Sequence, residues 1–376
     1  MGEMDHGNGG GIQHVSIAEA RYIAESIWSK HPEYAMFWYA GSGIGKSAVA
    51  EQMVKEGEGF FPIYAHSFNP TESNGIPYVN DKTGLVEFAK LGCLPLPKEK
   101  GDPESGVICI EEINLAPPSI QAELMKLIFA RVSGNYRVPE GYRILACSNR
   151  ARDKAAVNPI PYPLRIRWFW FYIEPDLECW IRDFALQYGM DPSILAFLKS
   201  HPKSFCTDPP PPDGPGASPR TWTMANAALE CGLHKHIDPE VGMAMLFRAA
   251  ILGAVGALAG AEYLTYREVY DQLPGDMKAV ALGHEQWLPD RDDLGLVYAA
   301  IYNFIHIYRQ LKGKEERLKV AATSYKLGKH LGKEMFLPLL MECWKVDKKP
   351  FQEAVNPDTG NPFYRDWASD LARYIR

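Results

Sequence analysis

The stretch MFWYAGSGIGKSAVAEQMVK, residues 36–55, decides the fold of this chain. Its apolar, aromatic start (36–39) predicts a buried strand, a glycine-rich turn follows, and residues 48–55 have a helical pattern. The turn matches the phosphate-loop pattern G-x-x-x-x-G-K-[ST], except that Ala40 stands where the first glycine is usual. Strand, turn and helix therefore come in the order that this motif needs.

The chemistry of such a loop assigns a role to each part of it. Glycines let backbone N–H groups curl around phosphate oxygens, and the helix N-terminus adds a partial positive charge. Lys46 would reach the β- and γ-phosphates of ATP, and the Ser47 hydroxyl would bind Mg²⁺. The Ala40 methyl is compatible with this if its φ stays negative. Whether ATP or GTP is preferred stays open, and we expect these residues to hold the nucleotide: Gly41, Ser42, Gly43, Ile44, Gly45, Lys46, Ser47 and Ala48.

A second motif, GVICIEEIN at residues 106–114, is an apolar run that ends in two carboxylates. A carboxylate at the end of a strand beside the phosphate loop can hold Mg²⁺, so Glu111 is the expected metal ligand. Glu112 would then polarise the attacking water. Asp is usual at the first position, and the extra methylene of Glu111 would alter its contact with Mg²⁺. The alternative is a strand end whose two glutamates face solvent.

The pattern of the chain changes near residue 176. Before it, β-branched and aromatic runs alternate with helical patterns, which predicts a parallel sheet flanked by helices, an α/β fold. These runs are 35–39, 61–66, 107–110, 144–148 and 169–173, and the five aromatics at 168–172 predict a strand buried on both faces. After residue 176 the pattern is helical, and the apolar run 249–261 predicts one buried helix.

We divide the chain accordingly. The Gly-rich segment 1–12 is expected to be flexible, 13–175 to form the α/β core, 176–274 a helical lid, and 275–376 a further helical extension. Within the lid, the loop 207–219 carries six prolines and cannot enter a helix interior.

Composition narrows the classes of function. The net charge of −6 argues against nucleic acid as a partner without excluding it, because a ring pore can be basic while the outside is acidic. Seven scattered cysteines without a C-x-x-C pair argue against a disulfide framework or a zinc site and favour a reducing, cytoplasmic location. No segment has the length of a membrane span or the core of a signal peptide, so we expect no membrane partner.

Several further motifs resemble the AAA+ ATPases, and the MoxR branch in particular. EEINLAPPSIQAEL (111–124) is similar to the branch signature D-E-I-N-R-A-P-P-x-x-Q-x-x-L, with Leu115 in place of Arg. YRILACSN (142–149) resembles the sensor-1 strand, and LRIRW (164–168) followed by EPD (174–176) resembles the arginine-finger segment. SPRTW (218–222) resembles the entry to a lid helix. The resemblance covers roughly residues 13–265.

The resemblance implies roles for four residues. Glu112 and Asn149 would position water against the γ-phosphate, and Arg167, rather than Arg165, would be the arginine finger of a neighbouring subunit. Arg220 would be the sensor-2 arginine, which couples nucleotide state to the lid. The segments 68–85 and 132–143 resemble a ring-facing insertion and a hairpin before sensor 1, with plain connecting turns as the alternative.

The function implied is an ATP- and Mg²⁺-dependent motor, a homo-hexameric ring that remodels a partner protein. Its partner would be a separate polypeptide with a von Willebrand A domain or another protein client. Two alternatives stay open. One is a nucleic-acid-directed AAA+ NTPase, and the other is a weakly hydrolysing nucleotide-dependent switch or scaffold, suggested by Ala40 and Glu111.

Overall fold

A computed structural model describes residues 14–68, 75–150, 153, 157–234, 243–356, 360–363 and 365. The N-terminal segment 1–12 and part of the segment 68–85, for which expectations were stated above, lie outside these residues. The chain divides into two compact units, Met1–Asp176 and Leu177–Arg376.

The first unit is built on a parallel sheet. Its described residues form six strands in the order β1-β10-β2-β9-β6-β3, so the phosphate-loop strand β2 lies near the middle with β10 and β9 as neighbours. Two short antiparallel hairpins, β4–β5 and β7–β8, stand apart from this sheet. The strands are β1 His14–Ser16, β2 Ala35–Ala40, β3 Gly59–Tyr64, β4 Pro77–Val79, β5 Val86–Phe88, β6 Ser105–Glu111, β7 Val132–Ser133, β8 Tyr136–Arg137, β9 Gly141–Asn149 and β10 Trp168–Glu174.

Helices cover both faces of this sheet, because its strands are apolar on both sides. On one face Phe37 and Ile108 pack with apolar residues of α4, and on the other Met36 and Trp38 pack with α1 and α2. Helix α1 starts with a capping box between Ser16 and Glu19. The helices of this unit are α1 Ile17–Trp28, α2 Lys46–Gln52, α3 Pro97–Lys100, α4 Pro118–Ala130 and α5 Tyr162–Arg165.

The expectation that the aromatic strand is buried on both faces is wrong for part of β10. Trp168 and Ile173 are buried, but Phe169 is 41% exposed. The reason is the length of β1, whose three residues pair only with 172–174, so among the described residues no strand pairs with the first half of β10 on that side.

The second unit is helical in its described residues. Its core includes the fully buried side chains of Phe197, Trp222 and Tyr263, whose rings pack against one another. A π-helical turn, Ile181–Ala185, joins α6 to α7. The helices are α6 Leu177–Trp180, α7 Leu186–Tyr188, α8 Pro192–Ser200, α9 Pro219–Glu230, α10 Met243–Val255, α11 Ala257–Tyr270, α12 Met277–Ala281, α13 Leu294–Gln310, α14 Lys314–Leu331, α15 Lys333–Val346 and α16 Lys349–Glu353.

The apolar run 249–261 is not the single helix that we expected. Gly256 has φ +86° and separates α10 from α11. A Cβ at this position would lie 2.2 Å from the carbonyl oxygen of Pro215, so only glycine fits the close approach of the Pro-rich loop. That loop is closed by Thr207 and Ala217, which exchange two hydrogen bonds. Throughout the described residues, every helix is too short or too polar to cross a bilayer.

Candidate functional site

The phosphate loop follows β2 and ends where α2 begins. Gly43 and Gly45 have φ of +77° and +98°, the left-handed backbone that lets successive N–H groups turn toward one point. Ala40, in place of the usual glycine, is the last residue of β2, fully buried, and its φ is not positive. The substitution therefore leaves the turn itself unchanged, because the turn begins one residue later.

Lys46 is the first residue of α2, and its side chain reaches back to the loop. Its Nζ donates to the carbonyl oxygen of Gly41 at 2.9 Å and to Oδ1 of Asn149 at 3.0 Å. Burial lowers the pKa of the Lys46 ammonium, while Cys147 and three nearby carboxylates act in the opposite direction. The ammonium is thus held in a poorly solvated place, where its charge acts strongly on an anion.

Asn149 ends β9, and its side chain connects the two motifs. Its Oδ1 accepts from Lys46, and its Nδ2 donates to Oε1 of Glu112 at 3.2 Å. A cation on one side and a carboxylate on the other fix the orientation of the amide. Asn149 lies in register with Ala40 of β2, so the neighbouring strands place Asn149 beside the loop. Three residues that were singled out from separate stretches of sequence therefore share one hydrogen-bonded chain.

Glu112 follows β6 with a left-handed backbone, φ +51° and ψ +42°. This turn takes the chain out of the strand and points Glu112 away from the direction of Glu111. The carboxylate is about two-fifths exposed, and its Oε2 lies 3.8 Å from Nδ1 of His66. A partly solvated carboxylate next to the phosphate loop is suited to accept a proton from water.

Glu111 is buried, in contrast to Glu112, and faces the sheet core beneath α2. The Sγ of Cys109 donates to its Oε1 at 3.2 Å. A thiol is a weak donor, so this contact leaves the Glu111 carboxylate able to bind a metal ion. Carboxylate and hydroxyl oxygens are the hard ligands that Mg²⁺ prefers, and Glu111 and Ser47 supply one of each. These residues fit a Mg²⁺ ion that keeps several of its waters.

Sequence reasoning gave no role to Asn114, although it lies inside the quoted motif. Its buried Nδ2 donates to the backbone oxygen of Asn149 at 2.7 Å. Its own backbone oxygen accepts from the N–H of Asn158 at 2.6 Å. Asn114 thereby connects the backbone of Asn149 to the segment that leads to α5. Only the three-dimensional pairing of β6 with β9 reveals this, since 35 residues separate the two asparagines.

Arg150 is a second residue that the sequence did not single out. A Cβ built at Gly41 would lie 2.8 Å from Nη2 of Arg150, so the guanidinium lies directly against the phosphate loop. Arg150 pairs with Asp153 at 3.0 Å, and both side chains are largely buried. Among the residues that the structure describes, Arg150 is thus a cation beside the loop in addition to Lys46, which sequence reasoning had identified.

Arg165 and Arg167 lie at the end of α5 and just before β10. The Arg167 guanidinium lies 4.6 Å from the ring centroid of Phe129 on α4 and donates to the carbonyl oxygen of Pro163. Arg165 is exposed and lies 5.5 Å from the centroid of Tyr162. Phe129 and Tyr162 are each 66% exposed, so each of the two arginines lies beside an exposed aromatic ring.

Arg220 belongs to the second unit. It is the second residue of α9, exposed, and lies within the capping box in which Ser218 and Thr221 exchange hydrogen bonds. The capping box fixes where α9 begins and thus which way the first-turn side chains leave it.

Comparison with known proteins gives limited likeness. No protein-family model and no curated protein sequence matches this chain. Among solved structures, a RuvB variant from Thermotoga maritima is 12% identical, over 95% of this chain and 95% of that one, with TM-score 0.37. NtrX from Brucella abortus in complex with ATP is 15% identical over 97% and 69% of the two chains, with TM-score 0.31. A candidate ATPase from Cytophaga hutchinsonii is 13% identical over 62% and 81%, with TM-score 0.31.

The fold class follows from the sheet and helices themselves. Structural similarities with TM-scores this low support no conclusion about activity. A parallel sheet flanked by helices, with the phosphate loop after a central strand, precedes a long series of helices. The fold is α/β, a parallel sheet flanked by helices, and a helical unit follows it. This architecture, predicted from the sequence, is confirmed, and the AAA+ family and its MoxR branch stay predictions.

Proposed function

We propose that this chain is an ATP-hydrolysing AAA+ motor of the MoxR type, which couples hydrolysis to the remodelling or activation of a partner protein. One observation carries the proposal: the Asn149 amide bridges Lys46 of the phosphate loop and Glu112 after β6. A phosphate-binding cation and a carboxylate that can polarise water are held at the two ends of one side chain. That is the arrangement that phosphoryl transfer to water needs.

The proposed roles follow from the positions of the groups. Lys46 neutralises the β- and γ-phosphates, while Ser47 and Glu111 hold Mg²⁺. The bound ion would neutralise charge on the phosphate oxygens. Glu112 accepts a proton from the attacking water, and Asn149 keeps Glu112 at a fixed distance from Lys46.

The remaining roles concern a homo-hexameric ring. Arg167 of one subunit would complete the site of the next, and Arg220 would report nucleotide state to the helical unit. The exposed aromatic surface around Arg165 and Arg167 supports a subunit contact there, since aromatic residues and Arg are enriched in interfaces.

A protein client is favoured by the β4–β5 hairpin. Ile76, Val79, Leu85 and Val86 are each more than 60% exposed. An exposed apolar hairpin suits contact with polypeptide, whereas a nucleic-acid groove would need cations. The client or partner would be a separate protein, such as one with a von Willebrand A domain.

The experiment measures phosphate release and ATP binding side by side. The unaltered chain should hydrolyse ATP with Mg²⁺, Lys46→Ala should lose ATP binding in isothermal titration, and Glu112→Gln should bind ATP but hydrolyse it hardly at all. Lys55→Ala is the control, because Lys55 is exposed beyond the end of α2. Unchanged ATP affinity in Lys46→Ala would show that the site is elsewhere.

A slowly hydrolysing nucleotide switch is the second candidate. The observation that favours it is the contact of Glu111 with Cys109, which turns the expected Mg²⁺ ligand toward the sheet core. Single-turnover hydrolysis separates the two: a motor completes a turnover within seconds, whereas a switch keeps ATP uncleaved for many minutes.

A further inference from the structure

Three potential metal ligands meet beneath the phosphate loop. Among the described residues, Cys109, Glu111 and Cys147 form the one group of such side chains whose ligand atoms all lie within 4.8 Å of one another, and all three are buried. The surrounding cluster is apolar and includes Met36, Trp38 and other core residues. A carboxylate and two thiols in such a place are unusual, because burial of a carboxylate without a strong partner is costly.

The sheet holds these groups in place. Cys109 and Glu111 are two residues apart on β6 and therefore point to the same face. Ile110 is in register with Ala146, which puts Cys147 of β9 level with Glu111. Both strands pair on both sides, β6 with β3 and β9, and β9 with β6 and β2. The ligand set is thus fixed by rigid backbone and not by a loop.

We propose that Cys109, Glu111 and Cys147 form a binding site for a soft divalent cation of the Zn²⁺ class. Two sulfurs and one carboxylate oxygen are ligands that Zn²⁺ takes, and water or a phosphate oxygen would complete four-coordination. In a tetrahedral site with Zn–S of about 2.3 Å and Zn–O of about 2.0–2.2 Å, ligand atoms lie roughly 3.5–3.8 Å apart. Closing the present group to that spacing needs side-chain shifts of about 1 Å or less.

The charges in the neighbourhood balance when the cation binds. Each thiol releases its proton to solvent, so the two thiolates and Glu111 carry three negative charges. These match a divalent cation together with the Lys46 ammonium, on which Cys147 and Glu111 already act. The site differs from the Mg²⁺ site in using sulfur, which Mg²⁺ does not take.

Binding would inhibit hydrolysis, and this consequence rests on the proposed function. Glu111 cannot serve a soft cation in the sheet core and Mg²⁺ at the phosphate loop at once. Because the thiolates add affinity that Mg²⁺ cannot match, excess Mg²⁺ should not reverse the inhibition, whereas a chelator of Zn²⁺ should.

The binding arm of the test uses Co²⁺ as a coloured substitute for Zn²⁺, with the full chain kept reduced by a phosphine. We expect one Co²⁺ per chain, a thiolate-to-cobalt absorption band, and displacement of Co²⁺ by Zn²⁺. Cys109→Ser and Cys147→Ser should each reduce the intensity of the band and weaken binding by more than about tenfold, the loss that outer-shell partners alone can cause, and the double variant should lose the band. Cys93→Ser and Cys343→Ser are the controls, since both cysteines lie elsewhere in the fold. Circular dichroism checks that each variant is folded, and alanine replaces serine in any variant that is not.

The activity arm measures ATP hydrolysis in excess Mg²⁺ with stoichiometric Zn²⁺. Inhibition should occur in the unaltered chain and in the control variants, and be absent in folded variants of Cys109 or Cys147. A chain that shows the cobalt band but no ATPase activity would refute the proposed function and leave the metal site standing. Active ATPase without a thiolate band, or a band that survives loss of both Cys109 and Cys147, would overturn the metal site.

Discussion

Replacing Asn114 with alanine tests whether this residue positions Asn149. Its Nδ2 holds the backbone oxygen of Asn149 at 2.7 Å, and the Asn149 side chain in turn contacts Lys46 and Glu112. Asn114 itself is 3% exposed and contacts the site only through Asn149, as far as its described hydrogen bonds show. The change removes one bond and leaves a buried carbonyl oxygen without that partner.

The size of the effect follows from that one bond. The Ser148 hydroxyl still donates to this oxygen, but only at 3.4 Å. Leaving a buried acceptor with this long bond alone costs about 1–3 kcal/mol. Asn149 would relieve half to all of this cost by shifting away from Glu112. The transition state would then lose the same amount of stabilisation free energy. With a factor of ten in rate for each 1.36 kcal/mol, kcat should fall by roughly 2- to 160-fold. KM for ATP should change little, because Lys46 keeps its contact with the loop through Gly41.

The assay is steady-state phosphate release, with the melting temperature measured in parallel. Gln121→Ala is the matched control: Gln121 is also a fully buried amide of the same segment, but it donates to the carbonyl oxygen of Ala116 at 3.1 Å and not to Asn149. Both variants should lose stability, and only Asn114→Ala should lose kcat. An equal fall of kcat in the two variants, or a lower melting temperature with unchanged kcat in Asn114→Ala, would refute the positioning role.

Two further predictions concern the ring and the sheet. Arg167→Ala should bind ATP yet hydrolyse it about 10³–10⁵-fold more slowly, and mixing it with Lys46→Ala subunits should restore activity. Arg165→Ala, tested in the same way, decides which arginine acts across the subunit boundary. If native mass spectrometry shows subunit exchange but activity is not restored, the site is not shared between subunits. Gly106→Ala should lower the free energy of unfolding by about 1–3 kcal/mol or more, because its Cβ would lie 2.1 Å from a carbonyl oxygen of β3. Denaturant titration measures this, with Ser105→Ala as the control. Equal stability of the two variants would contradict the close spacing of β6 and β3.

The sequence predicted the strands well because each is a run of apolar and β-branched residues bounded by turn residues. All five predicted runs lie within or overlap strands of the sheet, with ends that differ by at most three residues. The short β1 was missed, since its three residues, His14–Ser16, carry no periodicity. Strand order could not be predicted either, because it depends on pairing between distant segments.

The site could be predicted only in part for the same reason. Local patterns identify Lys46, Glu112 and Asn149 as candidates, but the hydrogen bonds between them come from the adjacency of β2, β9 and β6. The inward contact of Glu111 with Cys109 was not expected, since the motif alone treats Glu111 as a ligand on the nucleotide side. The division into core, lid and extension, the finger and sensor-2 roles, and the partner remain predictions.

The left-handed backbone of Glu112 has a consequence for how this protein tolerates change. A residue with a Cβ pays about 1–2 kcal/mol for that conformation, and glycine does not. Glu112→Gly should therefore make the chain more stable while it removes the carboxylate. Variants chosen for heat resistance alone would gather at this position and be inactive. Under the proposed function, stability and turnover are opposed at a single backbone angle, so a test of that function in stabilised variants should measure both.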